Sequence, residues 1–548
     1  MSGDRFAIAE RCVGGVTQRY WAAAPRSLRE VWAASREHGD RPYLVYEDER
    51  YTYAEAHRIV AALAGTLARR FGLGRGDRFA VALRNYPEWV FSFWAGAVLG
   101  AVAVPLNAWW SGEELAFGLD DSGAGVLIAD GERLDRLGPE LASRPGIGVV
   151  SVRADAGPGG SIRFEDAVAA GGGPVPEVSI DPDDDAVILY TSGTTGRPKG
   201  AVATQRNLTN ALLNAEYLTR PRPGGDGSPR PPRATLLSFP LFHVAGLVSH
   251  LLPFTARGDK LVLLYRWDAD RAVDLIDRER VTALSGVVTT TMELLERAAA
   301  RGVDLTSLKS MAAGASSVPA EFVRRVDEQF TAKVSPGNGY GLTETCGAMV
   351  GIAGAAYRDR PTSVGRPLSP LNEVRVAGES GEPLGPGEVG EIWLKGPTVV
   401  RGYLNDDEAT AASFTDGWFH TGDLGTVDTD GYVYVVDRLK DVVIRGGENV
   451  YAAEVESVLF EHPDVVDAAV VGAPHPRLGE EVAAFVCLRP GAAPTADDLR
   501  RHASARLARF KVPSVVVFRD GPLPRNAAGK VLKRVLREEL RAPAGSRR

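Results

Sequence analysis

The sequence predicts an α/β protein with a large multi-subdomain N-terminal domain, layered α/β plus a β-rich subdomain, and a small α+β C-terminal domain. Three observations carry this. At 548 residues the chain is too long for one hydrophobic core. Residues 26 to about 180 alternate helix-like and strand-like patterns. After Val374 the texture changes to short strands between Gly-Glu, Asp-Gly and Gly-Pro turns, and from about Asp441 the α/β alternation resumes. The expected boundaries are 1–436 for the N-terminal domain (β-rich from about 366 to 436), 437–441 for the segment between the domains and 442–548 for the C-terminal domain.

Taken in order, Thr52 and Glu55 have the form of a capping box. Ala56, Val60, Leu63 and Leu67 then keep helical spacing to Phe71. Arg78–Leu83 and Ala124–Ala129 read as strands. Between them, Trp89 to Trp110 holds no charged residue and is long enough to span a bilayer. Asn85-Tyr86-Pro87-Glu88 starts a helix, however, and Gly100 and Pro105 interrupt it. The prediction is a buried helix to about Gly100 and a strand ending near Pro105, with no membrane span. Further on, Ala186–Tyr190, Glu391–Leu394 and Tyr432–Val436 read as strands. In the last hundred or so residues, helices are expected near Ala453–Glu461 and Ala496–Leu507, and strands at Val465–Val471 and Val482–Leu488.

A net charge of -7 leaves no footprint for general nucleic-acid binding. Cys12, Cys346 and Cys487 are odd in number, far apart and without metal-ligand spacing, which suits a reduced cytoplasmic protein. The N-terminus lacks a basic-then-apolar signal, so a cytoplasmic location is expected. Whether the chain forms a homodimer stays open.

The most informative stretch runs from Tyr190 to Gly200. It sets Thr191, Ser192, Thr194 and Thr195 among Gly193, Gly196 and Gly200, with Lys199 near its end. Hydroxyls, backbone N–H groups and a cation together can surround a polyphosphate, and glycine lets the backbone come close. It is not a P-loop: Arg197 and Pro198 separate Gly196 from Lys199, and no hydroxyl follows the lysine.

Further motifs follow in order. Phe239-Pro-Leu-Phe-His243 places a histidine at an expected strand end, and Gly314-Ala315-Ser316-Ser317 forms a compact turn. Asn338-Gly339-Tyr340-Gly341-Leu342-Thr343-Glu344 combines an aromatic, glycines and a carboxylate. Asp423 follows a tight turn. Asp437-Arg438-Leu439-Lys440-Asp441 sits at the expected boundary, Gly446-Gly447 opens the C-terminal module, and Pro524 to Lys530 ends it. With these residues the chain resembles the adenylate-forming superfamily, closest to its acyl-CoA synthetases and fatty-acid–CoA ligases, over about 26 to 540. Departures are Gln205 where a His is frequent, and Ser316 and Ala452 where Pro is frequent.

The resemblance implies an ATP- and Mg²⁺-dependent ligase that joins a small-molecule carboxylic acid to CoA through an acyl-adenylate. It also implies a mobile C-terminal domain. Its catalytic residues would be Lys530, His243 and Glu344, with Glu344 and Thr191 at the metal. Nucleotide contacts would come from Thr191, Ser192, Gly193, Thr194, Thr195 and Lys199, and from Gly314, Ala315 and Ser316. Asn338, Gly339, Tyr340, Gly341, Thr343, Asp423 and Arg438 would complete them, with Tyr340 stacked on adenine and Asp423 on the ribose. Lys440 would be the hinge, and Gly446 and Gly447 part of the CoA tunnel. Taken alone, Lys530 reads as a solvated lysine near the chain end; the surrounding motif makes it catalytic. The acyl pocket is expected at Val244, Gly246, Leu247, Val287, Val288 and Met349, which are small or apolar and offer no charge. That favours a medium- or long-chain fatty acid, with an aryl or steroid acid, or an acyl-AMP ligase serving a carrier protein, as alternatives.

Overall fold

The structure, a computed structural model, describes residues 4–13, 15–154, 160–171, 175–191, 198–220, 232–314, 318–330, 333–525 and 530–541. Local signals in the chain place two of its early helices. At Thr52 the hydroxyl accepts the Glu55 N–H while the Glu55 carboxylate accepts the Thr52 N–H, and the helix Tyr53–Phe71 begins there. It ends at Gly72, whose φ of 67° is the left-handed region that glycine adopts without strain. The helix Pro87–Leu99 opens on its proline, and every residue in it is buried. Apart from Glu88 and Ser92 it is apolar all round, as suits a helix enclosed by protein, and the strand Val102–Pro105 follows at once. Among the described residues no helix is long and apolar enough to cross a membrane.

Two large sheets share these helices. One has seven strands, in the order Lys199–Thr204, Asp185–Thr191, Val102–Pro105, Arg78–Ala82, Val126–Asp130, Gly148–Val152 and Ile162–Arg163. Its first pair is antiparallel, so the glycine-rich stretch joins two strands of a hairpin. The other has nine strands. Its parallel centre contains Lys260–Leu263, Ala234–Leu237, Ala283–Gly286, Ser310–Gly314 and Ser335–Leu342. Trp89, Phe91, Phe93 and Trp94 of the enclosed helix belong to the main core, together with Leu63 and Leu67.

A five-stranded antiparallel sheet follows, built from Glu373–Ala377, Gly390–Lys395, Phe414–Thr415, Trp418–Val427 and Val433–Arg438. Beyond it, a second five-stranded sheet carries Val443–Arg445, Glu448–Val450, Val465–His475, Gly479–Leu488 and Val515–Arg519. The helices Ala452–Phe460, Ala496–Ser504 and Lys533–Arg541 accompany it. Val455, Leu459, Val470, Val482 and Val486 give this part its own core. The mixed α/β architecture agrees with the sequence reading. In open parallel sheets ligands bind beyond the carboxyl ends of the strands. Here that edge carries Gly314 and Tyr340.

Candidate active site

The strand Ser310–Gly314 ends beside Ser335–Leu342, with Gly314 opposite Gly339 in parallel register. A Cβ on Gly314 would stand 3.3 Å from the Gly339 carbonyl oxygen, so glycine at both positions keeps this edge low. Past Asn338 and Gly339 the pairing with Gly347–Ala353 shifts register between Tyr340 and Gly341. A Cβ on Gly341 would lie 2.0 Å from the Gly347 carbonyl oxygen, and no larger residue fits that bulge without backbone movement.

Tyr340 projects toward the β-rich sheet and donates its hydroxyl to Asp423 Oδ2 at 2.8 Å. Asp423 and Arg438 face each other across neighbouring strands, with Arg438 Nε 3.1 Å from Asp423 Oδ1. The Asp423 side chain is buried. Lys530, from the far end of the chain, enters the same electrostatic environment. Burial, then the nearby Arg438 cation, pulls its pKa down to about 7, while Asp423 acts the other way. Lys440 is lowered too, by burial first and then by Arg438. Residues that the sequence scatters over Gly314 to Lys530 therefore meet at one place.

Thr343 and Glu344 form a one-turn helix, Thr343–Thr345, packed beside the strand Lys199–Thr204. Glu344 is 7% exposed, and burial raises its pKa. Its Oε1 accepts a 2.9 Å hydrogen bond from the Tyr403 hydroxyl. The Tyr403 ring in turn lies 5.3 Å from Lys199 Nζ, and Lys199 pairs with Asp406 at 3.6 Å. Tyr403 thus links the acid to the end of the glycine-rich stretch. Sequence reasoning missed it: the only local signal is an aromatic after Gly402, and its importance comes from pairing between distant segments. Leu404 N–H donates to the Gly200 carbonyl at 2.7 Å, and Val202 N–H to that of Gly402 at 3.0 Å. Thr191 closes its strand opposite Lys199. Ser192, Gly193, Thr194, Thr195, Ala315 and Ser316 lie outside the described residues.

His243 is not at a strand end. It stands before the short helix Val244–Gly246, six residues after the strand Ala234–Leu237, and its N–H donates to the Pro240 carbonyl at 3.1 Å. A Cβ on Gly246 would meet that same oxygen at 2.2 Å, which fixes the tightness of the turn. The imidazole packs on Phe242, and burial lowers its pKa to about 4, so it is neutral at physiological pH. Among the described residues its buried Nε2 has no hydrogen-bond partner.

The expected acyl wall is only partly assembled. Leu247 and Met349 are wholly buried, Leu247 in the main core and Met349 against Val350, Ile392, Leu394 and Val433. Neither offers surface to a ligand here, because side chains from segments distant in the chain enclose both. Val244, Val287 and Val288 are half-buried. Val287 lines a recess of about 190 Å³ with Arg84, Trp109, Phe242 and Tyr265. Arg84 lies 4.3 Å from the Trp109 ring and 4.8 Å from the Tyr265 ring. A recess expected to be free of charge thus carries a guanidinium, contributed by a segment far earlier in the chain. Gly446 and Gly447 form an exposed turn with φ of 61° and 90°.

A lysine carried by a second domain toward a buried aspartate and its arginine partner, beside a glycine-lined strand edge, is the arrangement of the adenylate-forming enzymes. Residues 31–404 match the AMP-binding enzyme family and residues 454–530 match the AMP-binding enzyme C-terminal domain, and the chain belongs to this family. It is 39% identical over 493 residues to a feruloyl-CoA synthase of Amycolatopsis sp, covering 89% of this chain and 94% of that one. It is 34% identical over 510 residues to the long-chain-fatty-acid–CoA ligase FadD13 of Mycobacterium tuberculosis, covering 90% and 94%. Among solved structures it resembles the o-succinylbenzoate coenzyme A synthetase of Bacillus subtilis in complex with ATP and magnesium ion. That match has a TM-score of 0.78 and 31% identity, over 93% of this chain and 99% of the other.

Proposed function

We propose that the protein activates a hydrophobic carboxylic acid with ATP, releasing pyrophosphate, and transfers the acyl group from the adenylate to CoA. The enzyme class is an AMP-forming acid–thiol ligase. The observation that carries the reading is the match of residues 31–404 and 454–530 to the AMP-binding enzyme family, supported by Lys530 lying within the electrostatic reach of Arg438 and Asp423.

A carboxylate attacking an α-phosphate brings two anions together, so catalysis is mainly charge stabilisation and positioning. Lys530 is the cation for the carboxylate and α-phosphate. Its lowered pKa marks a site short of negative charge, and binding two anions there restores the protonated form. Tyr340, Gly314 and Gly339 border the adenine, and Asp423 receives the ribose hydroxyls by exchanging its bonds from Tyr340 and Arg438 for bonds to the nucleotide. Glu344 and Thr191 suit Mg²⁺, a hard cation that takes oxygen donors and substrate phosphates; the ion would neutralise charge on the departing pyrophosphate. Tyr403 holds the Glu344 carboxylate in place. The neutral His243 offers its free Nε2 to a polar atom at the acyl end of the site. The Arg84 recess, with its cation and aromatic faces, suits a phosphate-bearing thiol such as CoA.

For the acid we favour an aromatic carboxylate, supported by the 39% identity to a feruloyl-CoA synthase. A medium- or long-chain fatty acid is the second reading, supported by the apolar Val244 and Val288 and by the similarity to FadD13. A panel of cinnamic, succinylbenzoic, steroid-derived and fatty acids with ATP, with and without CoA, separates these by pyrophosphate and thioester formation. Pyrophosphate without thioester would redirect the assignment to an acyl-AMP ligase serving a carrier protein. The two half-reactions also test the site. Lys530→Ala is expected to lose pyrophosphate release by roughly 100-fold or more, as removal of a transition-state contact does. It should still convert a supplied acyl-adenylate to thioester within about threefold of wild type. Equal loss of both steps would show that Lys530 does not serve one orientation of the C-terminal domain.

A further inference from the structure

The hinge carries charged groups whose contacts divide into two kinds. Lys533 opens the last helix, three residues after Lys530, and its Nζ lies 2.7 Å from Glu456 Oε1, with side chains only 15% and 17% exposed. One turn on, Arg537 donates to Asp441 Oδ1 at 2.6 Å and to the Lys440 carbonyl at 3.2 Å. Glu456, Asp441, Lys533 and Arg537 all follow Lys440 in the chain, so they travel together when the C-terminal domain turns about that residue. Asp437 does not. Its backbone is held in the β-rich sheet opposite Leu424, before the hinge. Yet its buried carboxylate reaches across: Oδ2 accepts the backbone N–H of Ala452, the first residue of the helix Ala452–Phe460, and Lys533 supplies its strongest attractive charge. Oδ1 is taken by the Arg438 N–H at 2.7 Å.

We infer that Asp437 is a positioning residue for adenylation: it holds the C-terminal domain, through Ala452 and Lys533, in the orientation that places Lys530 beside Asp423. The inference rests on the two-orientation reading above. The bond to Ala452 exists only in this orientation, because its partners lie on opposite sides of the hinge. It also depends on the identity of residue 452. A proline there has no N–H to give, so the contact belongs to this chain's alanine. A carboxylate accepting an N–H at a helix N-terminus is a strong hydrogen bond further favoured by the helix dipole. An orientation favoured by a few contacts raises the rate of the half-reaction it serves and lowers that of the other.

Ala452→Pro is the sharp test. The position is the first of a helix, where proline is accepted, and Tyr451 before it is already extended at φ -78° and ψ 116°. The quantity to measure is the ratio of pyrophosphate release to thioester formation from supplied acyl-adenylate, using CoA and the acid most active in the panel. A ratio taken on one enzyme sample is independent of the folded fraction. Ala452→Pro should lower it about 3- to 10-fold and Lys533→Met about 10-fold or more, with Lys533→Arg restoring most of the loss. A ratio unchanged in both Ala452→Pro and Lys533→Met overturns the inference. Lys530→Ala in the same assay separates this from failure of the underlying reading: if it loses both half-reactions equally, the two-orientation reading itself is wrong.

Discussion

At the scale of single residues, the site is governed by what burial does to charged groups. Glu344 is enclosed, and its Oε1 depends on the Tyr403 hydroxyl. Tyr403→Phe leaves that oxygen without its donor, a cost of about 1–3 kcal/mol for a buried polar group. Pyrophosphate release is expected to fall by roughly tenfold, with the Mg²⁺ concentration for half-maximal rate rising. A Mg²⁺ titration of the variant checks this, and an unchanged midpoint would remove Tyr403 from the positioning of Glu344. Lys530 shows the opposite situation, a cation buried among Arg438, Lys440, Asp423 and Asp441 with its pKa lowered to about 7. In the unfolded chain the lysine keeps its proton to about pH 10.5. Below pH 7 both states are protonated and the folded protein carries the whole cost of burying the charge. Between 7 and 10.5 the folded state has released its proton while the unfolded state holds it, so this cost is relieved as pH rises. Lys530→Met should therefore melt roughly 2–4 °C above wild type at pH 6, the difference shrinking by pH 9.5. Melting curves at the two pH values decide it, and a gap that widens with pH contradicts the assignment.

At the scale of elements, glycine positions decide where strands can approach one another. Gly341 sits at the bulge where a Cβ would overlap the Gly347 carbonyl at 2.0 Å, whereas a Cβ on Gly314 has 3.3 Å of clearance. Gly341→Ala is expected to cost about 1–3 kcal/mol and to weaken ATP binding, because Tyr340 moves with the bulge. Gly314→Ala should cost less in stability while still crowding the nucleotide edge. Thermal melts and ATP titrations of the pair would test this ordering; equal destabilisation would show that the bulge is not the constraint. The helix Pro87–Leu99 makes a related point. The charge-free run Trp89–Trp110 that begins within it is long enough to span a bilayer, but the helix ends at Gly100, well short of that length.

At the scale of the whole molecule, the proposed reaction needs the C-terminal part to turn about Lys440, and apolar side chains flanking that residue reach solvent although Asp437 and Asp441 are buried. Leu439 and Ile444, on either side of Lys440, are each 57% exposed. Arg445 next to the Gly446-Gly447 turn should be an early tryptic site, and a non-hydrolysable acyl-adenylate analogue should slow cleavage there by threefold or more, as stabilisation of a closed form does. Cleavage at an unchanged rate would mean the ligand does not fix the domain. The sequence by itself determined the α/β class, the helix starts at Thr52 and Pro87, and the family, because capping, period and ordered motifs are local properties of the chain. It marked Lys530, Glu344, Tyr340, Asp423 and Arg438 as well. Only the tertiary structure decided that Tyr403 holds Glu344, that Arg84 enters the recess of Val287, that Leu247 and Met349 are core, and that Asp437 reaches Ala452. Each of those joins segments distant in the chain, and such contacts are set by how sheets and domains pack, which no local pattern records.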